Sequence, residues 1–108
     1  MIVLIDGAAP YLGGPATWRK LQAELTEFRC VLIDPLDAAA APDVGAAMRA
    51  LVVREIGNGA IAIIAHASAA RVVLEAVYAA GTDIPVLLLN PLLFVRNAPV
   101  LRIVRALL

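Results

Sequence analysis

The run Ala60-Ile61-Ala62-Ile63-Ile64-Ala65-His66-Ala67-Ser68-Ala69-Ala70 decides the fold. Its first six residues are apolar without a break. That pattern belongs to a strand buried on both faces, as in a parallel sheet, rather than to a half-exposed strand with alternating polarity. A helix is expected at once behind it, from about Ser68 to Ala80, closed by Gly81. In that helix Arg71, Glu75 and Tyr78 form one narrow polar stripe on an otherwise aliphatic surface, so most of it should be buried.

The same alternation extends outward on both sides. Ile2 to Ile5 reads as a first buried strand, ending at Asp6-Gly7. Ala8 to Gly14, with Pro10 and two glycines, reads as loop, and Pro15 suits the first turn of a helix. Trp18, Leu21, Leu25 and Phe28 recur at helical spacing and mark its buried stripe. Cys30 to Ile33 reads as the second strand, closed by Asp34-Pro35, where Asp34 is expected to hold a turn. After an alanine-rich loop, Pro42-Asp43 starts a helix whose buried face is Val44, Met48, Leu51, Val52 and Ile56, and Gly57-Asn58-Gly59 stops it. Val86 to Leu89 is the fourth strand. Residues 97–108 form an amphipathic helix with Pro99 in its first turn, aliphatic on one face and carrying Arg102 and Arg105 on the other. Four buried strands joined by helical crossovers predict a small doubly wound α/β domain. Its parallel sheet should have the order 2-1-3-4, with helices on both faces.

Composition narrows the function. Of 108 residues, 62% are hydrophobic, against about 45–50% in an average domain, so a disordered chain is excluded. Charged residues make up 17% and the net charge is zero, which leaves no basic footprint for nucleic acid. The single cysteine, Cys30, supports neither a disulfide nor a zinc cluster and reads as a buried thiol. No metal or cofactor is expected. The N-terminus lacks the basic start of a signal peptide, and no stretch reaches the 18–20 or so apolar residues of a membrane span, so the expected compartment is the cytoplasm.

In an open parallel sheet, ligands bind beyond the C-terminal strand ends where the strand order reverses. With the order 2-1-3-4, that crevice lies between the first and third strands. Asp6, Gly7 and Ala8 follow one of them, and His66, Ala67 and Ser68 the other. The chain's one histidine and one serine therefore both fall at the switch point. His66 is within plausible reach of Asp6 across it. Ser68 suits the N-cap of the following helix, its hydroxyl accepting from the first turn. Trp18 reads as core.

The segment from Ile64 to Ala70 resembles the nucleophile elbow of the α/β-hydrolases, where Gly-His-Ser-x-Gly-Gly follows the central strand. On that pattern Ala65 takes the first glycine, His66 the residue before the nucleophile, Ala67 the nucleophile, and Ala69 and Ala70 the later glycines. Ile2 to Gly7 resembles the strand that precedes the oxyanion loop, with Asp6 where a histidine often stands. The resemblance runs through Val31-Leu32-Ile33-Asp34 to Pro85–Pro91. It implies the first half of a hydrolase fold.

The departures from the pattern bear on activity. Ala67 has no heteroatom to attack a carbonyl. Family members take their acid and catalytic histidine from later strands, and here no Asp or Glu follows Asp83 and no His follows His66. Ser68 stands one position late on the turn. The reading is therefore a non-catalytic hydrolase-like module that works as an assembly subunit or protein-binding partner. Two alternatives stand beside it. One is an esterase or thioesterase with an unusual or partner-completed site. The other is a peripheral lipid-binding module, suggested by the apolar tail with Arg96, Arg102 and Arg105. The surplus of apolar residues points to a covered surface, with Leu101, Val104 and Leu108 as interface candidates and a homodimer as the default partner.

Overall fold

In the structure, a computed structural model, residues 1–6, 18–38 and 40–89 are described. They form β1 (Ile2–Asp6), α1 (Arg19–Glu24), β2 (Cys30–Ile33), a 3-10 turn (Pro35–Ala38), α2 (Val44–Gly57), β3 (Ala62–His66), α3 (Ala69–Ala80) and β4 (Val86–Leu89). The helix expected over residues 97–108 lies outside the described residues, as do its interface candidates Leu101, Val104 and Leu108.

The four strands make one parallel sheet in the order β2-β1-β3-β4. β1 is its centre. Ile2 to Ile5 pair in register with Cys30 to Ile33 on one side, and Ile2 to Asp6 pair with Ala62 to His66 on the other. All five residues of β1 are buried. On the far side of β3, Ile63 to His66 pair with Val86 to Leu89.

Right-handed crossovers dictate the layers. The step from β1 out to β2 places its helix on one face. The return from β2 to β3, and the step on to β4, place theirs on the other. Side-chain parity follows this rule. Val3, Ile5, Ile33, Ile63 and Ala65 pack with Met48 and Val52 of α2 and with Val73 and Ala76 of α3. Ile2, Leu4 and Ile64 point the opposite way, against Trp18 and, at the margin, Leu21 and Leu25.

The caps of the two long helices follow from local chemistry. The Asp43 carboxylate accepts the Ala46 N–H at 3.0 Å, satisfying one orphan donor of α2. Gly81 closes α3 at φ +63°, the left-handed conformation that glycine adopts without a Cβ penalty.

Several expectations are corrected. α1 ends at Glu24, and Leu25 turns out of the helix with ψ +39°, which leaves Phe28 off the stripe and 44% exposed. Leu25 itself is half-buried at the edge of its cluster. Val44 is exposed because it opens α2 before the helix reaches the sheet, while Glu55, on the sheet side, is buried beside Arg54. Cys30 is half-buried, on an edge strand. β4 is not buried on both faces. Val86 and Leu88 face the α2–α3 layer, but Leu87 and Leu89 point to α1's face and are exposed. Among the described residues, no helix is long and apolar enough to cross a membrane.

Candidate functional site

The crevice forms where β1 and β3 end side by side, since parallel pairing sets Asp6 opposite His66. Both side chains emerge on α1's face of the sheet. His66 Nδ1 lies 3.1 Å from Asp6 Oδ1. A carboxylate accepts only, so the imidazole nitrogen is the donor. Asp6 is 3% exposed. This bond turns the opposite ring nitrogen, Nε2, away from Asp6. The indole of Trp18 meets the imidazole edge-on, with ring centroids 6.5 Å apart and planes at 89°, a favoured geometry for two aromatic quadrupoles.

Beyond His66 the chain reverses sharply. Ala67 has φ +55°, the one non-glycine residue with positive φ among the described residues. Its N–H is held by the Leu89 carbonyl at 3.0 Å, and its carbonyl accepts the Ala70 N–H at 3.2 Å. The turn is thus pinned to β4 on one side and to the start of α3 on the other. A left-handed conformation costs an L-residue about 1–2 kcal/mol, and this anchoring maintains it.

Ser68 occupies the N-cap position of α3, as the sequence implies, but its hydroxyl makes no capping bond. Its backbone is already helical at φ −69°, ψ −15°, not extended as a side-chain cap requires. The positive φ at Ala67 completes the reversal one residue early. Asp34 closes its turn through its backbone, its carbonyl accepting the Asp37 N–H at 3.0 Å. Gly7 and Ala8, the other crevice candidates, lie outside the described residues.

An open hollow of about 400 Å³ adjoins the pair, lined by Trp18, Lys20, Leu21, Glu24, His66 and Leu89. Its walls are mostly apolar, with His66 as the one polar group anchored to the sheet and Lys20 and Glu24 on exposed α1. Sequence reasoning placed His66 here but took Trp18 only as core and gave no role to Lys20, Leu21, Glu24 or Leu89. The signal for Leu89 was available, since the crevice rule applies to every strand end beside the switch point. The position of α1 over the crevice depends on where the chain from β1 re-enters, which periodicity does not reveal. No group of three or more metal-ligating side chains occurs among the described residues.

No family model, curated protein or solved structure matches this chain. The site must therefore be read from its own chemistry.

Proposed function

We propose that this chain is a non-catalytic module of the α/β-hydrolase kind that acts by binding protein, with a second copy of itself as the first partner. One observation carries the reading. Ala67 sits at a strained strand-to-helix turn with positive φ, where a hydrolase presents its nucleophile. The backbone device for projecting a reactive side chain is in place, and the side chain is a methyl group. No environment makes a methyl attack an ester.

The Asp6–His66 pair favours a second reading, a hydrolase with an unusual site. An imidazole oriented by a carboxylate is two-thirds of an acid–base triad. Ser68 would have to be its nucleophile, and Ser68 follows the strained residue, already in helical conformation. Hydrolysis of an activated aryl ester separates the two readings. The full chain, its Ala67→Ser variant and its Ser68→Ala variant are all expected to match an inert-protein control. Turnover by the unmodified chain that disappears in Ser68→Ala would establish the hydrolase reading instead.

A further inference from the structure

We infer that the hollow over His66 is a binding site for a small, neutral, hydroxylated apolar molecule whose O–H donates to His66 Nε2. This goes beyond the non-catalytic reading above and rests on it only in that the bound hydroxyl compound is not turned over.

Three observations converge. The volume, about 400 Å³, is in the range of small-molecule sites, about 300–1,000 Å³. The walls supplied by Trp18, Leu21 and Leu89 match an apolar body. The polar group anchored to the sheet is the His66 imidazole, and its orientation is fixed because Nδ1 is committed to a buried carboxylate. In the neutral imidazole, a proton held on Nδ1 by this bond leaves the lone pair on Nε2 as an acceptor.

Charge decides the ligand class. Asp6 already contributes a buried negative charge beneath the imidazole, while Glu24 and Lys20 bring opposite charges to the lining of the hollow. An anionic ligand would place a further negative charge over apolar walls, where desolvation is costly. A hydroxyl donor adds no charge and satisfies Nε2. An ether of the same shape lacks the proton and leaves the nitrogen unmatched.

Trp18 is the chain's one tryptophan and lies against both the hollow and His66, so its emission reports on this site alone. The full chain is titrated with benzyl alcohol, benzyl methyl ether and benzoate, following Trp18 fluorescence and the His66 imidazole resonances. Benzyl alcohol should give a saturable shift in both signals, with affinity about tenfold or more above that of the ether and of benzoate. His66→Asn keeps a donor for Asp6 while removing Nε2, and should erase the preference for alcohol over ether. Leu21→Glu puts a charge on the apolar wall and should abolish the response, with unfolding excluded by circular dichroism. The inference is overturned by the absence of a saturable response, by equal affinity for the ether, or by tighter binding of benzoate. If either variant does not fold, the alcohol–ether comparison on the unmodified chain still decides. Ester hydrolysis by the same preparation would count against the non-catalytic reading and leave the alcohol result standing.

Discussion

At the scale of single residues, Ala67 and Ala70 offer a controlled pair. Both are buried alanines, three residues apart, one at φ +55° and one inside α3. Replacing Ala70 with glycine removes a buried methyl and adds backbone freedom in a helix, for a loss of about 1–2 kcal/mol. Replacing Ala67 removes a similar methyl but also releases left-handed strain of about 1–2 kcal/mol. The two terms nearly cancel, so Ala67→Gly should stay within about 0.5 kcal/mol of the parent in a urea titration. Equal losses for the two variants would mean that Ala67 is not held in the left-handed region. The pairing of His66 with Asp6 was legible from the sequence, because both residues end strands whose adjacency follows from the strand order. The failure of Ser68 to cap was not legible. It depends on a backbone angle at Ala67 that an alanine gives no reason to expect.

Among the elements, β1 and α3 were legible as strand and helix because their patterns are extreme, but α3 is less buried than its single polar stripe implies: only Ala69, Ala70, Val73 and Ala76 are buried, and Leu74 lies exposed. α1 was overextended for a physical reason. Trp18, Leu21, Leu25 and Phe28 keep helical spacing, yet the backbone leaves the helix at Leu25, and periodicity does not register where hydrogen bonding stops. The consequence is measurable. Leu4, fully buried in the central strand, should lose about 2–5 kcal/mol on truncation to alanine, and half-buried Leu25 distinctly less. Equal losses would restore the longer helix. The contact between α2 and α3 supplies a pH dependence. Hydrogen bonds from Arg49, and then from Arg71, hold the Glu75 carboxyl below its ordinary value. A carboxyl lowered in the folded state contributes stability that is present above its unfolded value and lost as pH falls through the folded one. Glu75→Gln should therefore flatten the acid limb of the stability profile below about pH 4. All three side chains are substantially exposed, so the difference should shrink in high salt. An unchanged acid limb in the variant would mean that the Arg49 and Arg71 contacts of Glu75 add nothing to stability.

For the whole molecule, the two faces of the sheet are unequal among the described residues, and an expectation about association follows from the difference. Four strands about 4.8 Å apart offer room for two helices per face at 8–10 Å or so between axes. α2 and α3 fill one face. Among the described residues the other carries only the six-residue α1, and on that side Leu87 is 54% exposed and Leu89 36%. β4 is also an edge strand, and Val86 to Leu89 contain no lysine, proline or charge to discourage pairing. An edge of this kind beside exposed leucines is better covered than solvated, and most such contacts between identical chains are two-fold. A dimer through β4 is therefore expected at tens of micromolar by light scattering on a size-exclusion column. Leu87→Arg places a charge at its centre and should return the monomer without unfolding it, since Leu87 makes little of the core. Polar substitution of Leu101 and Val104, outside the described residues, tests whether the apolar 97–108 segment shares in the contact. A monodisperse monomer of the unmodified chain, unchanged by either set of substitutions, would remove the self-assembly reading.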